Sequence, residues 1–180
     1  MRTQHIDIYE SFTIDDHPDP QLCFNWIREH WHNLADYAGE EMIDSLKALA
    51  DRWQLDLDYS IAPFGDRGEF ISLKPRAFDD CADMSPVRLW KYLHNSGFIS
   101  ADLIAGNCPF TGVCYDEVLI DPIREFAAKP SGDLDDLLSE IAHRMLCAYH
   151  AECEYVYSDE AIREMCVANE YQFLENGAIA

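Results

Sequence analysis

The stretch Asp133–Phe173, DLDDLLSEIAHRMLCAYHAECEYVYSDEAIREMCVANEYQF, holds the most regular pattern in the chain. Leu134, Leu137, Leu138, Ile141, Met145, Ala148 and Tyr149 recur at the i, i+3, i+4, i+7 spacing of one helix face. At roughly 100° per residue they merge into one apolar stripe, the side that seeks a core. Pro130-Ser131-Gly132-Asp133 is a stop followed by a start, with Asp133 or Ser131 placed to cap free backbone N–H groups. The opposite face gathers Asp136, Glu140, His143, Cys147, His150 and Glu154. Ser158 opens a second, shorter helix, with Asp159 and Glu160 in its first turn, where the helix dipole favours negative charge. Glu170–Leu174 then alternates like a strand, and Asn176-Gly177 signals a turn.

Outward from this stretch the period switches between 3.6 and 2. Ile6, Ile8, Phe12 and Ile14 predict a strand over 5–14. Residues 22–53 read as helix, and Gly39 either divides it in two or sits inside one continuous helix at a cost of about 1 kcal/mol. Leu55, Leu57, Tyr59 and Ile61 alternate with Asp56, Asp58 and Ser60, and Phe70–Leu73 returns as a partner strand. The Phe64-Gly65-Asp66-Arg67-Gly68 connection lies between two strands and is a hairpin turn, not a phosphate-binding loop. Ser85-Pro86 starts a helix that Asn95-Ser96-Gly97 stops, and Asp121-Pro122 caps a short one containing Ile123 and Phe126. Together these predict an α+β fold in a single domain over 1–180. An antiparallel sheet from 5–14, 55–62 and 69–74 is packed by the helices of 22–53 and 134–156.

The net charge is −21, from 34 acids and 13 bases, and residues 133–180 hold 11 acids against 2 bases. Such a surface repels nucleic acid and anionic membranes and attracts basic proteins. No apolar run approaches the roughly 20 residues that span a bilayer, and the first residues do not read as a secretion signal. A cytoplasmic protein with reduced thiols is expected. Its seven cysteines include no CxxC pair.

Chemistry-bearing groupings are sparse. His143, Cys147 and His150, with Cys153 a turn further round, share a helix face. Zinc wants about four ligands, so one would have to come from elsewhere, such as Cys108 or Cys114, and no metal is expected. Cys23 with His30 and His32 would need hydrogen-bond proximity and a third orienting group to act as a nucleophile pair. The adjacent carboxylates Asp15/Asp16, Asp79/Asp80 and Asp135/Asp136 diverge on any regular element and read as solvated surface. No catalytic residue and no cofactor are assigned.

Several stretches resemble a group of small acidic proteins encoded by bacteriophages and prophages, some of them antitoxin-like. The resemblance is carried by the Trp-containing helix leading into a Gly-Asp hairpin (Trp26–Phe70), by Asp116–Phe126, and most closely by Ser158-Asp159-Glu160-Ala161-Ile162 with Ala168–Phe173 and Gly177. It implies a mobile-element protein in the cytoplasm of a bacterial host, and it transfers no catalytic residue.

Origin and charge together point to a non-enzymatic inhibitor of a basic, nucleic-acid-handling host protein. Asp136, Glu140, Glu154, Asp159, Glu160 and Glu164 would form the partner-binding surface, a local imitation of the roughly one charge per 1.7 Å that B-DNA presents. Self-association as a homodimer is compatible with this role. One alternative is an antitoxin that holds a cognate toxin through a more apolar surface. The other is a small metal- or thiol-dependent enzyme centred on His143, Cys147 and His150.

Overall fold

The computed structural model describes residues 10–31, 34–62, 68–76, 81, 83–106 and 108–180. The chain is α+β. Among the described residues the elements are α1 (Pro20–His30), α2 (Asp36–Trp53), β1 (Leu55–Ser60), β2 (Phe70–Pro75), α3 (Pro86–Asn95), α4 (Ala101–Ala105), α5 (Tyr115–Ala128), α6 (Leu134–Val156) and α7 (Asp159–Ala168). The contacts gather into two compact units, Met1–Ala35 with Glu154–Ala180, and Asp36–Cys153. None of these helices is long and apolar enough to cross a membrane.

The first unit is organised by α1 and α7. Pro20 opens α1 where its missing N–H costs nothing, and the Asp19 carboxylate accepts the Gln21 N–H at 3.2 Å. Ser158 caps α7 as its sequence predicts, accepting from the Ala161 N–H at 3.1 Å. Cys23, Phe24 and Ile27 of α1 share a core with Ile162 and Cys166 of α7, and Ile14 and Phe173 join it. Arg28 ties the two helices, donating to the Tyr157 carbonyl at 2.9 Å and pairing with Asp159. Arg163 holds Asp15 at 2.7 Å.

The strand read over 5–14 is corrected here. Residues 1–9 lie outside the described residues. Phe12 exchanges two 2.8 Å hydrogen bonds with Phe173 in one isolated antiparallel bridge, and it does not pair with β1 or β2. The strand read over Glu170–Leu174 shrinks likewise to Phe173, which also bridges Ile179. Alternation shows which side chains point inward but carries no information about the pairing partner. The Asn176-Gly177 turn does form, with Gly177 at φ +83°. A Cβ on Gly177 would sit 2.5 Å from the carbonyl carbon of Leu22 and 2.6 Å from its oxygen, so only glycine fits.

In the second unit, α2 buries Met42, Ile43, Leu46, Leu49 and Trp53. Gly39 does not divide the 22–53 region. The break falls between His30 and Asp36, and Gly39 lies inside α2, whose long buried face outweighs one helical glycine. The hairpin pairs in register from Leu55↔Pro75 to Ser60↔Phe70, with Leu55 and Leu73 buried and Asp56 and Asp58 exposed on the other face. Its connecting residues 63–67, which include Phe64, Asp66 and Arg67, lie outside the described residues.

Helix α3 starts and stops where Ser85-Pro86 and Gly97 predict. Helix α5 is longer than its sequence suggested: it begins at Tyr115, so Pro122 is interior and not at a cap. An interior proline costs about 3 kcal/mol, and the burial of Leu119, Ile120, Ile123 and Phe126 offsets it. Helix α6 has the predicted span and apolar face. Asp133 is its cap: the Asp133 carboxylate accepts the Asp136 N–H at 2.9 Å, and Asp136 returns the favour to the Asp133 N–H at 3.1 Å, a reciprocal capping box.

Candidate functional site

All six carboxylates nominated for partner binding are exposed, and they fall into two sets. Asp136 and Glu140 occupy successive turns of α6 in the second unit. Asp136 is engaged in the capping box, and Glu140 accepts from the Arg144 Nε at 2.7 Å. The far edge of the same guanidinium grips Glu125 through two bonds of 2.8 and 2.6 Å, which hold the Glu125 carboxyl below its ordinary range. In the first unit, Asp159 pairs with Arg28, while Glu154, Glu160 and Glu164 make no ion pair with a base among the described residues. Half of the nominated set thus has a local structural task that helix spacing did not reveal.

The His–Cys face of α6 is dispersed. The Cys147 sulfur lies 3.7 and 3.9 Å from the two ring nitrogens of His143, so neither nitrogen is aimed at it, and both residues are exposed. His150 turns instead to Glu69, with Nε2 at 2.8 Å from a carboxylate only 8% exposed. The other Glu69 oxygen accepts the Ala62 N–H at 2.7 Å. Cys153 is buried. Among the described residues, no group of three or more His, Cys, Asp or Glu side chains is placed to hold a metal ion. Cys23 and His30 also part company. Cys23 is core, its thiol pushed up by burial, whereas His30 stacks on Trp26 and bonds its carbonyl at 2.8 Å. His32 lies outside the described residues.

Sequence reasoning missed Asp116. It is 0% exposed and collects five hydrogen bonds. One oxygen accepts the Phe110, Thr111 and Gly112 N–H groups at 2.8, 2.7 and 2.9 Å; the other accepts the Ser45 and Thr111 hydroxyls at 2.7 and 2.9 Å. Burial pushes this carboxyl up, but the hydrogen bonds from Gly112, Ser45, Thr111 and Phe110 outweigh it and leave the pKa below the ordinary value. With both oxygens occupied, Asp116 is a clamp that fastens the 110–112 loop to α2 and α5. The readable signal was an acid in the first turn of a helix that follows a Pro- and Gly-bearing loop.

An open groove of about 520 Å³ also lies in the second unit. Asp36, Glu40 and Asp44 line one side at i, i+4 and i+8 of α2, and Lys47 pairs with Asp44 at 3.0 Å. Asp36 and Glu40 make no ion pair with a base among the described residues. The remaining lining is Gly39 and Ile43 of α2, Tyr59 and Ile61 at the end of the β1 segment, and Tyr149 of α6. A Cβ on Gly39 would meet Ile61 and Tyr149 at 3.5 Å, ordinary van der Waals contact. Alanine would therefore fit there and favour the helix by roughly 0.5–1 kcal/mol, so packing does not call for the glycine.

No protein-family model, curated protein or solved structure matches the chain.

Proposed function

We propose that the chain is a non-enzymatic binding protein whose partner is a basic, nucleic-acid-handling protein of a bacterial host, held in place of nucleic acid. The charge carries this reading. Both compact units are acidic, with 12 acids against 3 bases in the first and 22 against 10 in the second. Thirteen bases cannot neutralise 34 acids, so a large unpaired negative surface remains to steer a basic partner. The resemblance to phage and prophage proteins supports the same reading. Capture from a bacterial lysate at 0.1 and 1 M salt, followed by competition against labelled duplex DNA on the captured protein, tests it. Binding should fall steeply with salt as the Debye length drops from about 10 to 3 Å, and the chain should displace DNA. Salt-insensitive capture, or a partner that keeps its DNA, refutes it.

The antitoxin reading has one observation in its favour, the exposed aromatics Tyr37 at 70% and Tyr155 at 50%. It requires binding that is lost on truncation of these side chains and changes little with salt.

A further inference from the structure

We infer that the α2 groove is where a basic partner inserts an arginine side chain. This rests on the reading above and gives it a location. The groove combines two features that a guanidinium needs together. Asp36 and Glu40 offer carboxylates one helical turn apart on one side, with no base among the described residues to neutralise them. Tyr59, which is 41% exposed, supplies an aromatic wall, and Ile43 and Ile61 an apolar surface for the aliphatic stem. Asp36, Glu40 and Asp44 against Lys47 leave the lining net negative, complementary to a cation. Gly39 is the third observation. Its position accepts a Cβ without displacement, and glycine weakens a helix relative to alanine, yet the chain keeps the groove floor bare. An arginine on a basic segment fits these walls better than an anionic or neutral peptide, because Asp36 and Glu40 repel the first and lose solvation without compensation against the second.

The experiment uses the full chain, an octa-arginine peptide and an octa-citrulline control of the same length, followed by amide and methyl NMR at 0.15 M salt. We expect shifts concentrated at Gly39, Ile43, Tyr59 and Ile61, and no binding of the citrulline peptide. Gly39→Leu, which fills the floor, and the double variant Asp36→Asn/Glu40→Gln should each raise the Kd at least tenfold. Tyr59→Ala removes no charge and truncates an exposed side chain, so it tests the wall even if Gly39→Leu fails to fold; it should raise the Kd about fivefold. Neutralising Glu154, Glu160 and Glu164 should leave the groove shifts in place. The groove is overturned, and the basic-partner reading survives, if octa-arginine shifts centre on α6 and α7 and Tyr59→Ala binds like the parent. Failure of octa-arginine to bind at all overturns both.

Discussion

Replacing Asp116 by asparagine tests the clamp directly. Asparagine keeps the shape and can still offer one oxygen to the Phe110, Thr111 and Gly112 amides, while its NH2 group turns to the Ser45 and Thr111 hydroxyls. What it loses is charge. Hydrogen bonds to an ionised group contribute about 1.5–3 kcal/mol each against about 1 for neutral ones. Five are affected, but Thr111 and Gly112 are exposed, so water compensates part of the loss. The expected cost at neutral pH is about 2–3 kcal/mol, a large share of the roughly 5–15 kcal/mol of a typical domain. Urea unfolding, with hydrogen exchange at the buried Leu119 and Ile120 amides as the reporter of this unit, measures it.

The sign with pH follows from the lowered pKa. The folded group holds its proton less tightly than the unfolded one. Its stabilisation is therefore complete above the unfolded value near 3.9 and is lost as pH falls through the folded value. The parent should thus exceed Asp116→Asn most above about pH 5, and the gap should close on acidification below about pH 4. A variant within about 0.5 kcal/mol of the parent at neutral pH, or a gap that widens on acidification, refutes the reasoning.

Gly177→Ala should cost at least about 3 kcal/mol, or prevent the first unit from folding, because positive φ and contact with the Leu22 backbone add; thermal unfolding followed by circular dichroism decides. Asp133→Ala should destabilise α6 by about 1 kcal/mol, and Asp136→Ala should add less than its own single cost, since the two share one capping box; a double-mutant cycle checks the coupling. Three thiols, Cys108, Cys114 and Cys147, should react rapidly with an aromatic disulfide reagent in the native protein. The four buried ones should wait for unfolding, Cys166 in particular, since burial pushes its thiol up to about 11.

What was legible in the sequence was whatever a short window decides. The α6 stripe, the Ser85-Pro86 start of α3, the Ser158 cap and the alternation of Leu55–Ser60 all depend on neighbours within a few residues. What was not legible depended on partners far along the chain. Asp116 finds Ser45 across 71 positions, and Phe12 finds Phe173 across a still longer separation. Gly39 and Pro122 misled for a related reason: both are breakers by local propensity, and burial of the rest of their helices overrides them. For the nominated carboxylates, exposure followed from the helix face, but the engagement of Asp136, Glu140 and Asp159 did not. A capping box and the reach of Arg144 and Arg28 decide that.

The first unit is assembled from two pieces of chain, and this has a consequence for synthesis on the ribosome. Residues 36–153, 118 in all, separate α1 from its core partners Ile162, Cys166 and Phe173. At about 5–20 residues per second, roughly 6–24 s pass between the emergence of α1 and that of α7. During that interval Cys23, Phe24 and Ile27 have nothing to bury against in their own unit, while Asp36–Cys153 already holds all of its sequence. The nascent chain therefore carries an uncovered apolar helix at its leading end for most of its synthesis. Pausing translation before residue 158 should prolong its capture by chaperones, whereas a pause after residue 173 should not.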